Sequence, residues 1–427
     1  MQTKERLMYM TSTNHIPKEE GIDHSLAVLS EGYQFIPNRL RKFNSNIFET
    51  RLLGKKVICI SGKDAAALFY DNERFQRKGA VPMRIFKSLF GVGGVQGLDG
   101  AVHEHRKQLF MSLMTAERIQ VLRDQTKYQW ELAIDKWKDQ SEVELFEAAE
   151  EIMCRTACQW AGVPLWAREL KLRTKDLSAM IDGFGAVGPR FWRARQGRLR
   201  TEHWIGKVIL QVRTGKIFVE EETALYQMAW HRDLQGDLLD TKTAAVELVN
   251  ILRPIVAIAR YITFGAVALH QHHETRQKLL NDTENYSQMF VQEVRRFYPF
   301  GPFLGAKVRH DFTWQGYAFK KDVLVLLDIY GTNHSPELWE NPDIFLPERF
   351  KNWDGSPFDF IPQGGGDYHI GHRCAGEWIT IEVMKTSLAF MTKRMNYDVP
   401  NQDLNYSMVR MPTIPKSRFI ITNVECK

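Results

Sequence analysis

Residues Gln363 to Trp378 read QGGGDYHIGHRCAGEW, and the reading of this stretch decides that of the whole chain. Three consecutive glycines lead through an aromatic residue and two histidines to a lone cysteine, Cys374. Ala375 to Ile379 then open a predicted helix that runs to about Arg394. A cysteine at a helix N-terminus lies under unpaired backbone N–H groups and the positive end of the dipole, and both favour thiolate over thiol. Glycines just before it let the backbone press against something flat and large. A thiolate held in this way, with no Cys-x-x-Cys partner, suits one axial ligand of a haem iron. Two other readings stay open on this stretch alone: a buried, inert cysteine, and a glycine run that cradles a phosphate. The second lacks the spacing of either phosphate-binding glycine motif, GxxxxGKS/T or GxGxxG.

Working outward, 427 residues are enough for two or three average domains or for one large core. No internal repeat divides the chain, so residues 1–20 are expected to form an N-terminal arm and residues 21–427 a single domain. Five cysteines, an odd number widely spread, argue against a disulfide framework and for a cytoplasmic location. Cys154 and Cys158, one helical turn apart without neighbouring ligands, read as core. The N-terminus has no apolar signal core. The most apolar region, Ala244 to Leu269, is broken by Glu247, Arg253 and Arg260, which excludes a membrane span. A net charge of +6 is mild. Only Arg190, Arg193, Arg195, Arg198 and Arg200 concentrate it, and they read as a solvated helix face, so no nucleic-acid partner is expected.

Helical periodicity dominates from about residue 100 to 300. Short helices are expected at Leu26 to Tyr33 and Asp64 to Tyr70, and a hairpin at Arg51 to Ser61 around Gly-Lys-Lys. Later strands are expected only in patches, Phe312 to Ala318 and Val323 to Leu327. The fold class is mainly α with a minor β part.

Within that frame, a helix from Asp99-Gly100 carries His103 and Lys107 four residues apart on one face, a pair able to clamp carboxylates such as haem propionates. A helix of about thirty residues, Thr241 to His272, has NILRPIVAIAR at its middle. Pro254 removes a backbone donor there and should kink the helix. Arg253, flanked by apolar residues, must find an anion, reach water or pair with a structural carboxylate. Glu293 and Arg296, three apart, together with Arg349 of Pro347–Phe350, would form a buried charge network behind the segment leading to Cys374.

These pieces together resemble the cytochrome P-450 superfamily: ExxR at Glu293–Arg296, PERF at Pro347–Phe350, and the cysteine loop at Cys374, in order and spacing over essentially the whole chain. Two departures stand out. The family's aromatic residue seven positions before the cysteine is here Asp367. The acid and threonine of its central helix are replaced by Arg253-Pro254, which leaves no acid–alcohol pair for oxygen activation by a reductase. Both departures are similar to the bacterial fatty-acid peroxygenase branch. So are FQR at Phe75–Arg77, QGLDG at Gln96–Gly100, HRKQLFMSLM at His105–Met114, YPF at Tyr298–Phe300 and QGGGD at Gln363–Asp367.

That resemblance implies a single haem-thiolate domain binding haem b through its iron, with hydrogen peroxide as co-substrate. The expected reaction is hydroxylation of long-chain fatty acids at the α or β carbon, with minor decarboxylation to terminal alkenes and no obligatory redox partner. It implies Cys374 as iron ligand, Arg77, His103, Lys107 and His372 at the cofactor, and Gln363 near the thiolate. It further implies Arg253 as carboxylate anchor beside Pro254, Gln96 over the haem, and Leu89, Phe90, Ile181, Phe184 and Phe300 along the acyl channel. The arginine run at 190–200 would then attract fatty-acid anions to the channel mouth. The nearest rival is a reductase-dependent fatty-acid monooxygenase of the same fold. A haem-based sensor or fatty-acid-binding protein, which would form no product, is a rival of another class.

Overall fold

The apolar stretch around Arg253 forms one helix, Thr241–Gln271, whose start is capped by the Asp240 carboxylate accepting from the Thr243 amide at 3.0 Å. In this computed structural model, which describes residues 14–427, every residue from Ala244 to Leu269 is buried except the half-buried Pro254. A helix covered on all sides needs no polar face, which explains its nearly continuous apolar sequence. Among the described residues it alone is long and apolar enough to cross a membrane, but 89% of its apolar window lies inside the protein. It is the core helix. The expected kink at Pro254 does not interrupt it, and the helix runs through to Gln271.

The helices Leu145–Ala161, Leu170–Asp182, Pro189–Arg213, Tyr286–Phe297 and Glu377–Ala389 pack around this axis. Cys154 and Cys158 are buried in the main core, as their spacing suggested, and both are free thiols.

Among the described residues, ten short strands supply the minor β part: β1 Ile47–Leu52, β2 Lys55–Ile60, β3 Phe75–Gln76, β4 Val143–Glu144, β5 Phe303–Val308, β6 Phe312–Trp314, β7 Tyr317–Phe319, β8 Leu324–Asp328, β9 Met395–Asp398 and β10 Ile420–Cys426. The larger sheet has the order β1-β2-β8-β5-β3, and β8 runs parallel to β2. Both faces of β2 and β8 are covered. Ile58, Ile60, Val325 and Leu327 pack toward helix Lys63–Phe69, while Val57, Cys59 and Leu326 pack toward helix Phe35–Phe43. That is the period-two alternation of a strand buried on both faces. The β1–β2 turn lies one residue earlier than expected, at Leu53-Gly54, where both residues have positive φ (52° and 72°), as a tight hairpin turn demands.

Five strands had no counterpart in the sequence reading. β3, β5 and the small sheet β4-β10-β9 are recruited by distant partners rather than by local pattern. Of the expected arm at 1–20, residues 1–13 lie outside the described residues; Asn14 bridges Tyr317 and Lys18 bridges Glu49.

The expected charge network is present. Arg296 forks onto Glu293 at 2.7 and 2.8 Å, and Arg349 reaches the same carboxylate at 3.2 Å. Glu293 also accepts from the Leu346 amide at 2.8 Å, and Arg296 donates to the Asn333 and Pro342 carbonyls. One fully buried carboxylate thus ties helix Tyr286–Phe297 to the segment that precedes the cysteine loop.

Candidate active site

The cysteine loop is held at both ends of its own sequence. The Cys374 amide donates to the Gln363 carbonyl at 3.1 Å, and Tyr368 donates its hydroxyl proton to the Ala375 carbonyl at 2.7 Å. Gly364 and Gly366 have φ of 89° and 77°, and a Cβ on Gly365 would lie 2.4 Å from the Pro357 carbonyl oxygen. All three glycines abut Tyr70, at 3.0–3.1 Å from where a Cβ would sit. Among the described residues, the Tyr70 side chain is the partner that all three glycines approach. Asp367, at the position where an aromatic residue was expected, instead caps the loop by accepting from the His369 and Ile370 amides at 2.7 and 2.9 Å.

The Cys374 sulfur faces the Gln363 Nε2 at 3.7 Å, and the Gly376 amide and the Lys107 charge favour its thiolate. Burial is the larger effect, however, and pushes the free thiol above its ordinary pKa. The dipole argument from sequence is thus outweighed here. A metal coordinated by this sulfur would remove its proton outright.

Beside the loop lies a cluster of buried cationic and imidazole side chains. Lys107, on helix Gly100–Ser112, donates to the Arg373 carbonyl at 2.5 Å and has no carboxylate at ion-pair distance among the described residues. Arg77 lies over the Phe69 ring at 4.3 Å and reaches only the Phe69 carbonyl, at 3.3 Å. Burial lowers its pKa to about 10. The rings of His103 and His372 lie with centroids 3.8 Å apart, tilted by 30°. Burial, with Lys107 beside one ring and Arg77 beside the other, lowers them to about 4 and about 2, so both are neutral. Tyr70 Oη is buried there without a hydrogen-bond partner. Two buried cations short of anions, next to a cysteine whose N–H donors are in place, fit a dianionic haem with one axial thiolate.

The opposite wall comes from the central helix. Arg253 is buried, its Nε has no partner, and no described residue forms a hydrogen bond or ion pair with its guanidinium. Its Cζ lies 5.8 Å from the Phe90 ring centroid. Burial and nearby Arg198 push its pKa down to about 9, against a pull upward from Cys374. Gln96 accepts from Asn250 Nδ2 at 3.2 Å through its Oε1, which leaves its NH2 as the free end of the amide. Asn250 also donates to Glu247, itself fully buried and bound by Arg106 at 2.7 Å. The one acid near Arg253 on this helix is therefore already paired.

The expected channel residues fall in two groups. Leu89, Phe90, Phe184 and Phe300 share the main apolar cluster, and Phe300 stacks on Tyr261 of the central helix at 5.2 Å. Ile181 is buried at the end of helix Leu170–Asp182 but outside that cluster.

The arginine run does not form a solvated face throughout. Arg190 pairs with Asp182 and Arg200 with Asp176. Arg198 is fully buried, bonding Glu202 and the Leu89 and Phe90 carbonyls. Its close approach is possible because residue 91 is glycine: a Cβ there would lie 2.1 Å from Arg198 Nη2. Sequence reasoning also missed Arg295 and Glu377, which form a buried ion pair at 2.5 Å behind the cysteine. The i, i+4 spacing of Arg373 and Glu377 was the available signal.

The cytochrome P-450 family model matches residues 266–421. Cytochrome P-450EX alpha, solved with myristic acid, is 46% identical over 97% of this chain and all of that one, with a TM-score of 0.94. The chain belongs to the cytochrome P-450 family. Within it, the chain stands with the CYP152 branch that cytochrome P-450EX alpha represents. Cytochrome P-450SP alpha in complex with (R)-ibuprophen is 46% identical (95% and 99% coverage, TM-score 0.93), and a variant of cytochrome P-450 OleT with arachidonic acid is 38% identical (97% and 99%, 0.94). More distant P-450 relatives include protopanaxadiol 6-hydroxylase of Panax ginseng, 23% identical over 89% of this chain and 85% of that one. Cytochrome P-450 4A7 of Oryctolagus cuniculus is 30% identical over 31% of this chain, and the match spans only 28% of that relative.

Proposed function

We propose that the chain is a haem-thiolate peroxygenase that uses hydrogen peroxide to hydroxylate long-chain fatty acids at C2 or C3, with terminal alkene as a minor product. The observation that carries this reading is Arg253, a buried guanidinium on the central helix without any protein anion. An unpaired buried cation calls for an anionic ligand. A fatty-acid carboxylate supplies one, and the Phe90 ring beside it begins an apolar wall for the acyl chain. The myristic and arachidonic acids held by two relatives support the ligand class.

Cys374 is the residue to hold the iron, Arg77 and Lys107 to neutralise two propionates, and neutral His103 and His372 to donate hydrogen bonds to them. When bound, haem b supplies peroxide cleavage and oxygen transfer, promoted by thiolate donation. Arg253 fixes the substrate carboxylate so that C2 and C3 are the nearest carbons, and regiochemistry follows from that placement. The anchored carboxylate is the group available to hold the peroxide proton. Glu247 is tied to Arg106 and Asn250, and Pro254 brings neither hydroxyl nor N–H. Overall, a C–H bond and hydrogen peroxide give an alcohol and water. Gln96 presents an amide NH2, which positions water or substrate without donating a proton at neutral pH. Leu89, Phe90, Ile181, Phe184 and Phe300 line the acyl path.

The enzyme needs no redox partner or nucleic acid, and residues 21–427 act as one catalytic domain. Its five free cysteines support a cytoplasmic location. The test is purified holoprotein with a long-chain fatty acid and peroxide, with products read by mass spectrometry. The expected products are 2- and 3-hydroxy acids. Turnover only with reductant and an electron-transfer protein would establish the monooxygenase reading instead.

A further inference from the structure

Behind the cysteine, the Gln363 side chain makes three contacts whose polarity is not interchangeable. Its Nε2 donates to Thr380 Oγ1 at 3.0 Å and lies 3.7 Å from Cys374 Sγ, while its Oε1 accepts from Arg295 Nε at 3.1 Å. A primary amide has one donor end and one acceptor end, so a group that bonds only the oxygen decides which end faces the sulfur. Arg295 is such a group, since a guanidinium can only donate. It is itself fixed. Nη2 pairs with Glu377 Oε1 at 2.5 Å, Nη1 donates to Gln292, and its Cζ lies 5.2 Å from the Phe360 ring centroid. Glu377 is held in turn by Arg373 Nε at 2.6 Å. Arg295, Gln292, Glu377, Thr380 and Phe360 are buried, while Gln363, Arg373 and Cys374 are half-buried; Gln292 and Arg295 lie on helix Tyr286–Phe297, and Glu377 and Thr380 on helix Glu377–Ala389.

We infer that Arg295 is a positioning residue for the axial thiolate: by holding the Gln363 oxygen it forces the amide N–H toward Cys374 Sγ and so sets how much charge the sulfur donates. The inference rests on Cys374 being the iron ligand. Reduction adds one negative charge to the iron–sulfur unit, and an N–H aimed at sulfur stabilises that charge more than it stabilises the oxidised state. Freed from Arg295, the amide turns its oxygen toward sulfur part of the time and the preference is lost. The reduction potential then moves to more negative values. Loss of one such donor is expected to change the reduced-to-oxidised ratio at fixed potential by about tenfold, which is about 59 mV for a one-electron couple.

The experiment is spectroelectrochemical titration of four holoproteins: natural, Arg295→Lys, Gln363→Leu and the double variant. Lysine keeps the positive charge opposite Glu377 but lacks the fork that reaches Gln363. The expected result is a negative shift in Arg295→Lys that vanishes in the Gln363→Leu background. A natural potential in Arg295→Lys would mean that only the charge matters, and full additivity with Gln363→Leu would mean that the two act independently. Either overturns the inference. Gln363→Glu reports even where Arg295→Lys fails to load haem. Its carboxylate accepts from Arg295 but offers no N–H, so its potential should fall at least as far as that of Gln363→Leu, and an unchanged potential would overturn the inference. A ferrous carbon-monoxide band lost from the thiolate position in all variants would remove its premise, the Cys374 ligand, and so identify a different failure.

Discussion

If the base that handles the peroxide proton is a carboxylate held by Arg253, that carboxylate need not belong to the molecule being oxidised. A short carboxylic acid, too small to bring its own chain to the oxidant, should occupy the Arg253 site and leave room for a neutral bystander such as a thioether. Peroxide-dependent sulfoxidation should then depend on the acid, and its neutral ester should not replace it. Replacing Arg253 by Leu removes a guanidinium whose desolvation has already been endured in the free protein, because the side chain is 8% exposed and unpaired. Loss of a desolvated charge pair is worth roughly 2–5 kcal/mol. At about 1.4 kcal/mol per tenfold, acid binding should weaken between about 30-fold and a few thousandfold. The same argument gives an opposite sign for folding. Arg253→Leu deletes an unpaired buried charge, so the substrate-free protein should unfold at higher denaturant concentration than the natural one. The assay is bystander oxidation with acid, with ester and with neither, at fixed peroxide, in both proteins. Equal rates in all three conditions would refute the reasoning. So would an Arg253→Leu enzyme that responds to acid at near-natural concentrations.

Four further outcomes follow from the same geometry. Cys374→Ala should lose the thiolate-type absorption of the reduced carbon-monoxide complex together with activity, and survival of that band would remove the axial-ligand assignment. Gln96→His should raise the alkene share of the products by gas chromatography, since imidazole adds a titratable proton where the amide has none; an unchanged share counts against Gln96 lying over the reacting carbon. Glu293→Ala should cost roughly 3–5 kcal/mol in a denaturant titration by stranding Arg296 and Arg349, and a loss below 1 kcal/mol would mean the network is dispensable. Asp328, buried at the end of β8, has its pKa raised to about 7 by burial, against hydrogen bonds from the Gly331 amide and Ser61. The native state therefore binds a proton that the unfolded chain has lost, and stability contributed below pH 4 should disappear as pH rises through about 7. Asp328→Asn should flatten that dependence by on the order of 4 kcal/mol at about 1.36 kcal/mol per unit. Identical pH profiles for the two proteins would sink it.

Much of the site was legible because its parts lie close in sequence or at fixed helical offsets. Glu293 and Arg296 are three apart on one helix, His103 and Lys107 four apart on another, and the run from Gln363 to Cys374 closes on itself through one backbone hydrogen bond. The central helix announced itself by length and apolarity. What escaped was set by partners far along the chain. β5 exists because β8 and β3 flank it, and nothing local in residues 303–308 signals that. Arg198 read as one of five surface arginines, yet its burial depends on carbonyls about a hundred residues earlier and on a glycine at 91. The glycine run was read as a close-approach device, and the side chain it meets among the described residues is Tyr70, some three hundred residues away in sequence. The thiolate expected from a helix N-terminus met a burial cost that no linear motif reveals.

A buried arginine is informative here through what it lacks. Arg296 and Arg295 each have carboxylate and carbonyl or amide partners for their donors, and removing a ligand would leave them unchanged. They hold the protein together. Arg260, two turns beyond Arg253 on the central helix, stands between Glu150 at 3.8 Å and Asp182 at 3.6 Å. Its geometry is loose, but its charge is balanced from within the fold, so it makes no demand for an outside anion. Arg253 is also buried on the same helix but has no acid within ion-pair distance among the described residues. The one acid that precedes it, Glu247, is bound to Arg106 instead. A fold that spends a carboxylate on Arg260 and another on Arg106, yet leaves Arg253 bare beside the Phe90 ring, leaves that charge open to an outside anion. Under the function proposed above, the substrate brings the carboxylate that Arg253 lacks.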